Sequence, residues 1–289
     1  MSITASTTKT LTNGVKIPVL GFGTYETPKE KAESIVHAAF KQGYRHVDTA
    51  QLYENERECA TAVAKFLKES PKVSRDQVFY TTKVAGDNHG YEKAKKSIIE
   101  SLEMAKELEY VDLFLIHNPC AETEKRLGTY KALQEFYKAG KIKAIGVSNY
   151  SIKHLEELYS WEGLEVKPMV NQFELNPWLT RKDLVKYCKE RDLVIEAFSP
   201  ITRSKRFSDP VVQKLLKESY PGRTPAQLLI RWSLQMGFVP LPKSVHEDRA
   251  ESNLHALDFE ISAEDMKTLT HDGEHFLAQP GFDPIETED

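Results

Sequence analysis

The sequence predicts an α/β protein, a (β/α)8 TIM barrel with an N-terminal β-hairpin and extra C-terminal loops. Three observations carry that prediction. Short apolar, β-branched runs alternate with amphipathic charged stretches along all 289 residues. No Pro/Gly/Ser-rich linker and no low-complexity segment divides the alternation, so residues 1–289 read as a single domain. The strand-like runs are apolar at consecutive positions, as strands of a parallel sheet buried on both faces should be.

Taken in order, the hairpin comes first. Thr12-Asn13-Gly14 supplies Asn-Gly turn chemistry between two short strand-like pieces. Barrel strands are expected at Val19–Gly23, Arg45–Asp48, Val78–Lys83, Val111–His117, Ile142–Val147, Met169–Phe173, Val194–Phe198 and Phe238–Leu241. Helical periodicity lies between them, for instance at Glu30–Gln42, Tyr91–Leu108, Leu127–Ala139, Ser151–Tyr159 and Arg181–Arg191. Gly43 and Gly140 follow helices, where a left-handed residue is needed to end them. The rival doubly wound fold requires G-x-G-x-x-G between the first strand and a helix. Here Gly21-Phe22-Gly23 runs on as Thr24-Tyr25-Glu26 with Pro28 beyond, and the third glycine is missing.

Composition narrows the function class. A hydrophobic fraction of 40% supports a packed core, and a net charge of −4 makes no electrostatic case for nucleic acid or an anionic membrane. The basic run Arg203-Ser204-Lys205-Arg206 reads as a solvated loop. Cys59, Cys120 and Cys188 have no paired spacing, which suits a reducing compartment and argues against disulfides or a zinc site. The N-terminal segment is polar, unlike a secretory signal, and no run approaches the ~18–20 apolar residues that span a bilayer. A cytoplasmic monomer is the expectation.

Functional groups of a (β/α)8 barrel gather at the C-terminal ends of its strands. Asp48, Lys83 and His117 end apolar runs, and Tyr53 follows Asp48 by five residues, so all four converge on one mouth. Singly, each has an ordinary explanation: Asp48 as a helix cap, Lys83 as a surface lysine, Tyr53 as a packing residue, His117 as a core histidine. Together they suit protonation of a carbonyl oxygen. A free phenol, with a pKa of about 10, is a weak acid that a neighbouring cation strengthens. Lys83 is the candidate cation, and Asp48 the carboxylate that holds it. His117 is the candidate donor to the substrate oxygen. Tyr53 is the candidate general acid. Side chains supply no hydride, so a nicotinamide cofactor is required. Ser148, Asn149 and Gln172, from further strand ends, offer donors and acceptors for its carboxamide. Helix capping is an alternative role for Ser148 or Asn149.

The segments carrying these residues are G-Y-R-H-V-D-T-A-x-x-Y-x-N-E, Y-T-T-K-V, V-D-L-F-L-I-H-N-P, I-G-V-S-N and V-N-Q. In this order the chain resembles the aldo-keto reductase family, from the hairpin to the last helices. The resemblance implies a barrel whose bottom the hairpin closes and a catalytic tetrad of Asp48, Tyr53, Lys83 and His117. Phe198, in E-A-F-S-P, occupies the place of a family aromatic, commonly Tyr, that stacks on the nicotinamide ring. Ser199 and the loop after it are implied to cover the pyrophosphate. Leu241-Pro242-Lys243-Ser244-Val245, with Arg249 and Asn253, is similar to the family's I-P-K-S…R…N pattern. That similarity implies Lys243, Ser244 and Arg249 around the adenosine 2′-phosphate, Asn253 at adenine, and NADPH/NADP+ as cofactor. The family's usual Glu before that Asn is Ser252 here, with Glu251 one residue earlier, so one adenine contact lacks its usual residue.

The implied substrate pocket departs from aldose reductase-like members. Tyr25 stands where the family often has an aromatic wall. Val84-Ala85 and Asn118 stand where many members carry Trp. The segment from Pro119 to the helix near Leu127 is short. The layout is similar to that of microbial short-loop carbonyl, ketoester or pentose reductases. His275–Pro284, with Phe276 and Phe282, is either the remaining wall or a tail. The implied activity is NADPH-dependent reduction of small-molecule aldehydes or ketones, with ketoesters and aldoses as candidates. Two rivals are a non-catalytic cofactor-binding protein on the same fold and a metal-dependent barrel hydrolase. The second needs a cluster of His and carboxylates, whereas Lys83 repels a cation. Tyr91-x-x-x-Lys95 mimics the pair of short-chain dehydrogenases in a charged helix, and His271-x-x-x-His275 has metal-like spacing around Gly273 without a further ligand in view. Neither pattern is assigned a function.

Overall fold

The computed structural model describes residues 3–281 and 283–287. Its first element is the hairpin, in which β1 (Thr8–Thr10) pairs antiparallel with β2 (Lys16–Pro18). Gly14 in the connection has φ +89°, a conformation that suits the residue without a Cβ. Leu11 and Ile17 turn inward and pack with Phe79, Leu113, Leu115, Ala144, Met169 and Val170. These are the side chains that fill the lower half of the barrel, so the hairpin forms its floor.

Among the described residues, eight parallel strands follow in chain order, each beside the next: β3 (Phe22–Gly23), β4 (His46–Asp48), β5 (Phe79–Val84), β6 (Val111–Ile116), β7 (Ile142–Ser148), β8 (Val170–Glu174), β9 (Val194–Phe198) and β10 (Val239–Pro240). The first and last meet. The Gly21 amide donates to the Pro240 carbonyl and the Gly23 amide to the Pro242 carbonyl, each at 3.0 Å. A Cβ at Gly21 would lie 2.5 Å from Leu241 and 2.8 Å from the His46 ring, so the seam closes tightly only on glycine. This is the (β/α)8 barrel that the alternation predicts.

The outer layer comprises α1 (Lys29–Gln42), α2 (Glu56–Glu69), α3 (Tyr91–Met104), α4 (Thr123–Lys138), α5 (Ile152–Ser160), α6 (Lys182–Lys189), α7 (Pro210–Glu218), α8 (Pro225–Gln235) and α9 (Glu247–Leu254), with α10 (Ala263–Leu269) after it. The strands feed two cores by strict alternation. On β6, Phe114 and Ile116 join the core beneath the helices, while Leu113 and Leu115 face the barrel interior. Burial of each such side chain contributes about 1.5–3 kcal/mol. The same two-residue period aims His46 and Asp48, Thr81 and Lys83, Gln172 and Glu174, and Glu196 and Phe198 inward.

Boundaries moved where local geometry intervened. β3 and β10 are shorter than the predicted Val19–Gly23 and Phe238–Leu241, because the seam uses only isolated bonds on one side. The predicted helix Tyr91–Leu108 stops at Met104 and resumes as a 3-10 turn at Lys106–Leu108. α4 begins at Thr123 rather than Leu127, which shortens the loop after β6 still further. Gly43 and Gly140 end α1 and α4 with φ +127° and +71°. No helix among the described residues is long and apolar enough to cross a membrane.

Candidate active site

Strand pairing sets the height of each functional side chain. Asp48 is level with Thr81 on β5, Lys83 with Leu115 on β6, Ser148 with Gln172, and Gln172 with Glu196. His117 follows β6, its amide donating to the Val84 carbonyl at 3.1 Å. Tyr53 closes a 3-10 turn, Gln51–Tyr53, that two side chains clamp. Gln51 Oε1 accepts from the Ala85 amide at 2.9 Å. Asn55 accepts from Thr49 Oγ1 at 2.6 Å and donates to the carbonyls of Thr24 and Thr27.

The four converging groups form one constellation, with Asp48 and Lys83 buried and Tyr53 and His117 half-buried at the cleft. Lys83 Nζ donates to Asp48 Oδ1 at 2.6 Å, to the Thr49 carbonyl at 2.8 Å and to Tyr53 Oη at 3.4 Å. The Tyr53 and His117 rings meet edge to face, 5.4 Å between centroids. Burial works against the Lys83 charge, but interaction with the acidic groups around it, Asp48 foremost and then Tyr53 and Glu196, outweighs burial and raises its pKa. Burial also raises the Tyr53 pKa, and the Lys83 charge opposes that rise without cancelling it. This corrects the simple expectation of a phenol drawn down toward neutrality. Burial, with the Lys83 cation and His89 adding to it, pushes His117 down to about 3.

A cleft of about 570 Å³ opens above these groups. Asp48, Tyr53, His117, Ser148, Asn149, Gln172, Phe198, Ser199 and Lys243 line it, as do Tyr25 and Asn118. Lys83 lies beneath it with no exposed surface. Ser244, Arg249 and Asn253 sit beyond it, at and within α9. Ser244 Oγ is engaged in its own turn, donating to the His246 carbonyl at 2.9 Å. Arg249 is exposed and forms no ion pair among the described residues. A second cavity, about 580 Å³, lies at the barrel floor beside Lys9, Lys189 and Asp192 and holds none of the converging groups.

The polar groups at the cleft wall have their donors committed. Asn149 Nδ2 donates to the His117 carbonyl at 3.0 Å and to Ser148 Oγ at 3.1 Å. Ser148 Oγ donates to the Gln172 carbonyl at 2.8 Å. Gln172 Nε2 donates to Asp48 Oδ2 at 2.9 Å and to Glu196 Oε2 at 2.8 Å. Among the described residues Oδ1 of Asn149 and Oε1 of Gln172 accept no hydrogen bond, which fits the N–H groups of a carboxamide.

The rim differs from the solvated loop predicted for the basic run. Arg203 pairs with Glu26 across the cleft and donates to Gln279 Oε1 at 3.1 Å. Lys205 donates to the Ala278 carbonyl at 2.6 Å, and Arg206 lies over the Phe276 ring at 4.5 Å. Ser199, Thr202, Arg203 and Ser204 all have positive φ, a strain of about 1–3 kcal/mol each that the rim contacts must hold. The C-terminal segment is a wall, not a tail: Leu277, Gln279, Pro280, Asp283 and Pro284 line the cleft, while Phe282 lies outside the described residues. Arg181 fastens that wall through Asp283 at 2.7 Å, and Glu174 accepts from the Ala278 amide at 2.7 Å. Burial lifts the Glu174 carboxyl to about 7.

Glu196, His46, Glu174, Arg181 and the Arg203–Glu26 pair did not emerge from the sequence patterns. A charged residue inside V-I-E-A-F was the available signal for Glu196, since only a specific partner keeps a carboxyl in a buried strand. Tyr91 and Lys95 bond to each other and to Glu135 on the outer helices, away from the mouth. His271 stacks on Trp178. His275 is grouped instead with Asp283 and Glu286, and Asp283 is already paired with Arg181.

Comparison with known proteins agrees with this architecture. The family model described as "Aldo/keto reductase family" matches residues 19–271. An oxidoreductase of Saccharomyces cerevisiae, YJR096W, is 46% identical over 90% of this chain and 92% of its own. A glyoxal reductase of Bacillus subtilis is 42% identical over 90% of each. The crystal structure of Gox0644 in its apo form superposes with a TM-score of 0.86 at 34% identity, covering 98% of this chain and 99% of that one. With the matching model spanning the whole barrel, the chain belongs to the aldo/keto reductase family, and it is an oxidoreductase acting on small carbonyl compounds.

Proposed function

We propose that this protein is an NADPH-dependent reductase of aldehydes and ketones, with Tyr53 as the general acid. The observation that carries the reading is the chain from the buried Asp48–Lys83 pair to the half-buried Tyr53, with Lys83 Nζ 2.6 Å from the carboxylate and 3.4 Å from the phenol. A raised phenol pKa keeps Tyr53 protonated at neutral pH, so the acid is loaded before reaction. Lys83, held charged, stabilises the tyrosinate that remains once the proton has gone to the substrate oxygen. Asp48 keeps Lys83 in place. His117 is neutral at physiological pH, and its buried Nδ1 has no partner among the described residues. A buried orphan N–H is costlier than an orphan lone pair, so the ring proton resides on Nε2, available to the substrate oxygen.

A bound nicotinamide would supply the hydride. Asn149 and Gln172 would accept from its carboxamide, with Ser148 fixing both. Phe198 would offer an apolar face for the ring, and Ser199 would lie near the pyrophosphate. Lys243, Ser244 and Arg249 would hold the 2′-phosphate, and Asn253 the adenine. Tyr25 and Asn118 would contact the substrate. Identity to an enzyme named for glyoxal supports small aldehydes as a substrate class, with ketoesters and aldoses as further candidates. We further propose a single-domain cytoplasmic monomer.

The experiment is a kinetic screen. NADPH oxidation is followed with glyoxal, simple ketones, ketoesters and aldoses. Turnover of at least one aldehyde or ketone is expected. Tight NADPH binding without turnover of any of them would favour the non-catalytic cofactor-binding alternative.

A further inference from the structure

Glu196 sits on β9 with no exposed surface. Its Oε2 accepts from Gln172 Nε2 at 2.8 Å. Its Oε1 has no hydrogen-bond partner among the described residues and lies 3.5 Å from Nε2 of the equally buried His46. The same Gln172 nitrogen donates to Asp48 Oδ2 at 2.9 Å. A primary amide has two N–H bonds, and here carboxyl groups from two different strands take both. Turning the amide over would set its carbonyl oxygen against Asp48 Oδ2, an oxygen of the carboxylate that pairs with Lys83 and has no hydrogen to donate. The Gln172 oxygen is therefore left as the free end, on a residue that lines the cleft.

Two buried carboxyls that share one amide nitrogen disfavour a negative charge on both. Burial raises the Glu196 pKa to about 8, and Asp48 adds to the rise, with Gln172 and Lys83 opposing. The groups that face this carboxyl are His46 and Asp48 on β4 and Lys83 on β5. His46 is itself held neutral by burial and by Lys83. An uncharged acid still accepts a hydrogen bond, so Glu196 orients Gln172 without competing with Asp48 for Lys83.

We propose that Glu196 is a positioning residue for the cofactor's carboxamide: it takes the second amide hydrogen of Gln172 and so locks the Gln172 carbonyl oxygen as the acceptor. This inference rests on the reading that the cleft holds a nicotinamide cofactor. It assigns a role to a residue that touches neither substrate nor cofactor.

The test is a double-mutant cycle read by cofactor affinity, using NADPH quenching of tryptophan fluorescence. Glu196→Leu removes the acceptor at similar size. It is expected to weaken NADPH binding about three- to tenfold, the effect of one neutral hydrogen bond. Glu196→Gln keeps a carbonyl acceptor and should stay within about twofold of wild type. In a Gln172→Ala background, Glu196→Leu should have no further effect, because its action passes through Gln172. Equal losses in both backgrounds, or unchanged affinity in folded Glu196→Leu, would overturn the inference. Glu196→Ala replaces Glu196→Leu in the cycle if the latter is not recovered folded. A wild-type protein that bound neither NADPH nor NADH would overturn the cofactor reading itself, and this inference with it.

Discussion

Lys83 Nζ lies 2.6 Å from Asp48 Oδ1 inside the barrel, with the two side chains 0% and 5% exposed. A buried ion pair of this kind is seldom a net source of stability, because desolvation offsets most of its attraction. The third contact, from Lys83 to Tyr53 at 3.4 Å, is the one on which the proposed proton transfer depends. The pair keeps a fixed positive charge beside the phenol in a place that water does not screen.

Replacing Tyr53 by Phe deletes the proposed acid and leaves the ring packing. Carbonyl reduction should fall about 10²–10⁴-fold, the usual contribution of general acid catalysis. NADPH affinity should hold, because the proposed cofactor contacts lie on other strands. Steady-state turnover on a ketone and a fluorescence titration measure the two effects. Near wild-type turnover would remove Tyr53 from the role.

Lys83→Met should abolish most activity and raise the pKa of the remaining donor. Lys83 is the group that opposes the upward shift of Tyr53, so its loss lets burial act alone. For reduction the acid must be protonated, and the alkaline limb of the rate profile should therefore move to higher pH. Single-turnover measurements across pH avoid masking by product release. The variant should also lose roughly 3–5 kcal/mol of stability, because Asp48 stays buried without its partner. Denaturant unfolding checks that figure.

Arg249→Ala should weaken NADPH much more than NADH. Arg249 is an exposed side chain on α9, and Lys243, earlier in the same stretch of chain, lines the cleft. A charge-assisted hydrogen bond to the 2′-phosphate contributes about 1.5–3 kcal/mol, and NADH has no phosphate there to lose. Titrating both cofactors against both proteins tests the difference. Equal losses would make Arg249 structural.

Glu196→Gln should gain stability relative to wild type as pH rises. The folded-state pKa of Glu196 is raised, to about 8 from 4.5, so the native state holds a proton that the unfolded chain releases. Between those values wild-type stability falls with pH by up to about 1.4 kcal/mol per unit through this group, and an amide has no such dependence. Below pH 4.5 both states are protonated and the difference between the two proteins should level off. Urea midpoints at several pH values follow the difference. A flat difference would mean that Glu196 is ionised in the native state.

Much of this was legible in one dimension. Alternation within β4, β5 and β6 is a local property, and it alone aims Asp48, Lys83 and His117 to the same side of their strands. Strands that end in reactive residues and are separated by helices must gather those residues at one mouth, because parallel connections leave every strand pointing the same way. Gly14, Gly43 and Gly140 likewise marked their turns by conformational need.

The sequence by itself therefore determined the strand order, the inward parity and the candidate tetrad. Only the tertiary structure decided which buried groups share hydrogens. Gln172, Asp48 and Glu196 lie on β8, β4 and β9, and their contacts depend on how far the barrel closes at the Gly21 seam. The Arg203–Glu26 and Arg181–Asp283 pairs arise in the same way, from loops that meet only after closure. Periodicity records which face a side chain takes. It carries no record of the distance between two faces, and hydrogen-bond donors are allotted by that distance.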